Sequence, residues 1–425
     1  MSWKPPARPE WVQAINAGRI PPIAAEASLP LARDALLAEA RARLGLADGG
    51  VADFCHAEFD AERLIEPLDR VLAALEQEAE LTPIGRWLTR RFLLRLLEVR
   101  LQLMAYLRAD PGVRDEPIAA PLFVAGAPRT GTTILHAMLA ADPAHRVPLG
   151  WELQRPVPPP DPEPARFASD PRIELADREL VLPQTVVSGL LAIHIYGGRR
   201  PKECLSAMSF AFRSEEFTAR YHVPSYEAWL ARCDMTPAYE MHRLVLQVLQ
   251  RRTGPARWVL KSPVHLHSLP TLFGVYPDAR VAVTHRDPLT MLASLTSLIA
   301  TLRWAHSDAV DYRAIAESHA RRYRASLDRL VQWTDAERLP PAQLHHSRYE
   351  DFLEDPLAVL AALYARFGRP FTDETQARVR EALAARPQGE HGEHDYSFDD
   401  LGLDRAALRE QFRGYQTRFG VPDEE

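Results

Sequence analysis

The sequence predicts an α/β fold in which a central parallel sheet lies between two helical layers, with a helical lobe before it and a helical insertion within it. Three observations lead there. Four short segments that read as strands, at residues 122–125, 258–260, 280–284 and 343–347, are each followed by helical periodicity. Strands alternating with helices imply a parallel sheet covered on both faces. The first run leads into a glycine-containing turn and then a helix, an order that aims backbone N–H groups at an anion.

The elements follow in chain order. Residues 1–30 are rich in proline and are expected to lie extended over the surface. From residue 31 to about 110 the apolar spacing is helical, with Leu36, Leu37, Ala40 and Leu44 on one stripe. The expected organisation is an extended and helical N-terminal region (1–118), an α/β core (119–370) and a C-terminal helical tail packing on it (371–425). Within the core, residues 153–255 form a helical insertion that opens on a stiff proline-rich loop. Its aromatics, Phe167, Tyr196, Phe210, Phe212, Phe217, Tyr221, Tyr226 and Trp229, read either as ordinary core or as the lining of an apolar acceptor pocket. Residues 264–276 read as one helix. Asp287 and Pro288 read as the N-cap and first residue of another.

Composition sets bounds. The 425 residues are 46% hydrophobic and 25% charged, in the range of soluble globular proteins. The net charge of −6 argues against a general nucleic-acid binder, which shows a basic face. Cys55, Cys204 and Cys233 are widely spaced and not arranged as metal ligands, so no metal is expected. Residues 1–30 lack the apolar stretch of an export signal, and the longest apolar stretches are too interrupted to span a bilayer. A cytoplasmic protein is expected.

The glycine turn narrows the chemistry. It runs Gly126-x-x-x-x-Gly131-Thr132-Thr133, so a threonine stands where nucleotide triphosphatases carry lysine, and the cation, Arg129, lies inside the loop. A triphosphate would lack its main counter-charge there. That weakens the alternative of a P-loop-type kinase using ATP and magnesium. A non-catalytic nucleotide-binding protein is the second alternative.

Four segments, taken in order, resemble the sulfotransferases that use 3′-phosphoadenosine 5′-phosphosulfate (PAPS). They are the Pro-Arg-Thr-Gly-Thr-Thr loop ending at Thr133, Trp258-Val-Leu-Lys-Ser-Pro-Val-His265, the segment from Arg280 to Ser294, and Ser347-Arg-Tyr-Glu-Asp-Phe. The bacterial-type members with an N-terminal helical segment are the most similar. The resemblance implies a P-loop-like three-layer fold and PAPS as co-substrate. Arg129 with the N–H groups of Thr130, Gly131, Thr132 and Thr133 would cradle the 5′-phosphate. Arg286 and Ser294, eight positions apart, would hold the 3′-phosphate. Lys261 would stabilise the leaving group. Glu152 is the expected general base and His265 its rival. Tyr396 is a candidate nucleotide contact. Leu298 stands where some relatives carry a further arginine, and the glycine-rich closing segment of the cytosolic branch has no clear counterpart. The acceptor is a hydroxyl on a small molecule, lipid or carbohydrate.

Overall fold

The computed structural model describes residues 3–47, 49–188, 197–385 and 397–424. Its N-terminal part is built from α1 (Glu10–Asn16), α2 (Arg33–Arg43), α3 (Ala61–Gln77) and α4 (Pro83–Ala109). The expectation of an extended segment over residues 1–30 fails at α1. Val12 and Ile15, three residues apart, are buried against Ile84 and Leu88 of α4, and that tertiary burial outweighs the local prolines. Proline at the first position and a Thr82 hydroxyl accepting the Gly85 N–H start α4. Arg100 of α4 is 1% exposed, and its guanidinium donates to the carbonyls of Phe54, Phe59 and Phe210. One buried cation thereby ties the N-terminal helices to the insertion.

The sheet comprises β1 (Leu122–Gly126), β2 (Val259–Lys261), β3 (Arg280–His285) and β4 (Leu344–Arg348). All pairings are parallel, in the order β2-β1-β3-β4. These are the four expected strands. Alternation along them separates two cores. Leu122, Val124, Val259 and Ala282 pack with α5 (Thr132–Ala140) and with later helices described below. Phe123, Ala125, Leu260, Val281 and Val283 face a larger core that includes the N-terminal helices.

The insertion is helical, from α6 (Gly150–Gln154) to α7 (Thr236–Gln250). Phe210, Phe212, Phe217, Tyr221 and Tyr226 are buried in the large core, so for these the ordinary-core reading holds. Tyr196 lies outside the described residues. The helix expected over 264–276 is two pieces, a 3-10 turn (Pro263–His267) and α8 (Leu269–Val275), broken at Ser268 ahead of Pro270. Pro270 has no N–H to donate to the carbonyl four residues back, so it sits in the first turn of a new helix rather than continuing the preceding turn.

After β3, α9 (Pro288–Trp304) starts as expected, with the Asp287 carboxylate accepting the Leu289 N–H at 2.8 Å. It packs on α10 (Tyr312–Asp335). Helices α11 (Pro356–Arg366) and α12 (Asp373–Ala384) complete the smaller core through Leu360, Leu363 and Val379. Helix α13 (Arg405–Phe419) closes the larger one through Phe412 and Tyr415. Among the described residues no helix is long and apolar enough to cross a membrane.

The core carries buried imidazoles with a consequence for stability. Burial pushes His242, His306 and His319 down from 6.5 to about 3. Below pH 6.5 the unfolded chain binds protons that the folded chain refuses, so acid favours unfolding. The stability these groups contribute is present above the unfolded value and lost as pH falls toward the folded one. Each contributes up to about 1.4 kcal/mol per pH unit across that window. The melting temperature should therefore drop between pH 7.5 and 5.5, before ordinary carboxylates titrate. A flat profile over that range in thermal unfolding would contradict this burial.

Candidate active site

Parallel strands open their carboxyl ends at one edge of the sheet, where α/β proteins bind ligands. The cationic residues singled out in the sequence sit at that edge. Arg129 lies in the loop after β1, Lys261 ends β2, Arg286 directly follows β3, and Arg348 ends β4.

Backbone geometry shapes the loop. A Cβ at Gly126 would stand 2.4 Å from Thr284 Oγ1 on the neighbouring strand, so only glycine allows this approach. Gly131 has φ +93°, and a Cβ there would come within 3.2 Å of the Tyr349 ring. Arg129 itself is left-handed, with φ 67°. For a residue with a side chain this costs about 1–2 kcal/mol. Four contacts hold the segment. Arg129 Nε donates to Ser294 Oγ at 2.9 Å, and the Arg129 carbonyl accepts from Arg286 Nη1 at 3.0 Å. The Thr130 hydroxyl donates to the Ala127 carbonyl at 2.7 Å and lies 2.6 Å from Thr284 Oγ1. The Thr130 side chain therefore clamps the loop to β3, leaving its backbone N–H as its means of contacting an anion. Gly131 brings no capping side chain to α5, so the first-turn N–H groups of Thr132 and Thr133 have no side-chain cap.

Arg129, Arg286 and Ser294, far apart in sequence, thus form one cluster. The Arg286 guanidinium lies 4.0 Å from the centroid of the Tyr349 ring. Its Nε and Nη2 edge donates to the Glu424 carboxylate at 2.7–3.0 Å. Arg348 instead pairs with Asp351 and Glu350 and donates to the Gly420 carbonyl, joining β4 to the chain beyond α13.

Lys261 is 4% exposed and bridges two parts of the edge. Its ammonium donates to Thr133 Oγ1 at 3.3 Å and to Glu203 Oε1 at 2.5 Å. The Cys204 N–H donates to the Lys261 carbonyl at 3.0 Å, fixing Glu203 beside the end of β2. Ser262 Oγ donates weakly to the other Glu203 oxygen, at 3.5 Å. Glu203 thereby joins the candidate site, and sequence reasoning missed it, because no motif or spacing links it to Lys261. One signal was available. The chain's cations are overwhelmingly arginine, with lysine only at positions 4, 202 and 261, and Lys202 adjoins Glu203. Burial lowers the Lys202 amine, opposed by the nearby Glu216 and Glu203. Burial alone would raise Glu216, but Arg220, Lys202 and Arg95 hold it at about 2.

The two expected bases sit differently. Glu152 is fully buried, and its carboxylate accepts from Arg146 Nη2 at 2.8 Å and from the Leu149 N–H at 2.9 Å. These contacts stabilise the start of α6. His265 is fully buried too, with Nδ1 2.9 Å from the Tyr239 hydroxyl and its ring edge-on to Phe123. Burial, with His242 nearby, pushes its imidazole well below the usual histidine range. A base so weakened has little driving force for proton abstraction near neutral pH. Tyr396 lies outside the described residues.

Comparisons with known proteins bear on the family and the fold. A family model described as "Sulfotransferase family" matches residues 121–373. The omega-hydroxy-beta-dihydromenaquinone-9 sulfotransferase Stf3 of Mycobacterium bovis is 27% identical over 312 residues, which cover 69% of this chain and 73% of that protein. The crystal structure of sulfotransferase STF1 from Mycobacterium tuberculosis superposes with a TM-score of 0.77 at 32% identity, covering 91% of this chain and 99% of that one. Sulfotransferase STF9 from Mycobacterium avium gives a TM-score of 0.79 at 29% identity, covering 93% and 98%. With the parallel sheet, the lysine-free glycine loop and a family match over more than half its length, this chain belongs to the sulfotransferase family.

Proposed function

We propose that this enzyme moves a sulfuryl group directly from PAPS to a lipid hydroxyl. One observation carries the reading. Two groupings of donors, the Arg129 loop and the Arg286–Ser294 pair, share a sheet edge with the Lys261–Glu203 ion pair. Their donors fit a nucleotide phosphorylated at both the 5′ and 3′ positions. The loop N–H groups and Arg129 suit the phosphosulfate, and the planar Arg286 fork suits the 3′-phosphate. Threonine at 132 disfavours a triphosphate, as the sequence implies.

For chemistry, Glu203 is better situated than Glu152 or His265 to act as base. Its carboxylate is 20% exposed, against 1% for Glu152, and touches the lysine that contacts the phosphate cradle. On this reading the acceptor oxygen bonds to sulfur while its proton passes to Glu203. The bond between sulfur and the bridging phosphate oxygen breaks, and 3′,5′-adenosine bisphosphate leaves. Lys261 and Arg129 meet the charge that develops on the departing phosphate. The lipid acceptor is supported by Stf3, whose name specifies a hydroxylated menaquinone lipid.

The test supplies radiolabelled PAPS with an ω-hydroxylated menaquinone in detergent, and in parallel a sterol, a sugar and a tyrosine peptide. Label should pass to the lipid hydroxyl. Transfer to the sugar or peptide alone would overturn the acceptor class. Glu203→Gln should lower turnover about 10²–10⁴-fold with little change in bisphosphate affinity. Unchanged turnover would remove Glu203 from the chemistry.

A further inference from the structure

The chain beyond α13 folds back over the residue expected to hold the 3′-phosphate. Gly420, with φ 63°, ends the helix, and the Val421 N–H donates to the Gln416 carbonyl at 2.9 Å. Residues 421–424 are then secured at several points. Gln416 Nε2 and Arg409 both donate to Asp423, at 2.8 and 3.0 Å. The Glu424 N–H donates to Asp287 Oδ2 at 2.7 Å, while Arg409 donates to the other oxygen of that carboxylate. So anchored, Glu424 lays its carboxylate along the Nε and Nη2 edge of Arg286, the pair of parallel donors that binds carboxylate and phosphate alike. The Arg286 side chain is 14% exposed and that of Glu424 31%, so the pair is partly shielded from water.

Resting on the PAPS reading above, we infer that residues 421–424 are an autoinhibitory strap. The Glu424 carboxylate holds the Arg286 fork in place of a phosphate, and a 3′-phosphorylated nucleotide binds only by displacing it. Carboxylate and phosphate are both anions of fork-matching geometry, and one guanidinium edge cannot serve both. Ser294, the other member of this subsite, is held by Arg129 Nε at 2.9 Å. A cleft of 380 Å³ lined by Arg348, Glu350, Arg413, Pro422 and Asp423 borders residues 421–424, so the strap has room to shift without repacking the core. The contest concerns the 3′-phosphate specifically, because Glu424 engages Arg286 and not the phosphate loop.

Calorimetric titration of the wild type and Glu424→Gln with 3′,5′-adenosine bisphosphate, and with 5′-AMP as the ligand lacking the 3′-phosphate, tests the inference. Only the binding-competent fraction counts toward apparent affinity, so removing the competing charge should tighten bisphosphate binding roughly tenfold. Binding of 5′-AMP should change far less. Equal or weaker bisphosphate binding in Glu424→Gln overturns the strap, as does an equal gain for both ligands. Failure of the bisphosphate to bind either protein instead overturns the PAPS reading on which the strap rests.

Discussion

Lys261→Ala is expected to lower sulfuryl-transfer turnover about 10²–10³-fold, the usual cost of deleting a donor aimed at developing charge. The effect should fall on kcat more than on KM, because the ammonium is needed most as the bridging bond breaks. Lys261→Arg should rescue little. A planar guanidinium is a poor substitute for a point charge in a buried position that already contacts Thr133 and Glu203. Removing the ammonium also leaves Glu203 without its partner, so the melting temperature and bisphosphate affinity of each variant must accompany the kinetics. If Lys261→Ala binds bisphosphate normally and turns over at the wild-type rate, the leaving-group role is wrong.

Arg286→Ala is expected to weaken binding of 3′,5′-adenosine bisphosphate by roughly tenfold to over a hundredfold, from the loss of a charged hydrogen-bonding group. Binding of 5′-AMP should fall far less, through loss of the Arg286 donation to the Arg129 carbonyl alone. The strap adds a sharper form of this prediction. With Arg286 gone, Glu424→Gln has no pair left to break, and the gain it produces in the wild type should vanish in the double variant. Additive effects in that cycle, measured by calorimetry, would mean that the two residues act on the nucleotide independently.

Strands β1 to β3 were legible because they are short runs buried on both faces, and such runs announce themselves as apolar without alternation, whereas β4, Leu-His-His-Ser-Arg and only partly buried, was read through the strand-to-helix signature that begins at Ser347. The start of α9 was legible for a local reason, since Asp287 and Pro288 form a cap within adjacent residues. Features set by distant packing were not. Residues 10–16 coil into a helix because Val12 and Ile15 find α4, which nothing in the proline-rich stretch foretells. Cationic site residues were readable where strand ends deliver them. Glu203 was not, because it comes from the insertion and meets Lys261 only in three dimensions. Glu152 has the spacing of a base and the contacts of a helix start, with both carboxylate oxygens engaged. Spacing along the chain does not report which way a buried carboxylate is held. The same limit applies to Glu424, whose approach to Arg286 depends on the fold of α13 and the turn at Gly420.

The most direct test of the central claim is calorimetric titration with 3′,5′-adenosine bisphosphate, run beside ATP with magnesium. The account predicts bisphosphate binding that is independent of magnesium, is weakened roughly tenfold or more in Arg286→Ala and exceeds any binding of magnesium ATP. A preference for magnesium ATP would contradict it, and the loop from Gly126 to Gly131 would then have to be reassigned as the cradle of a triphosphate.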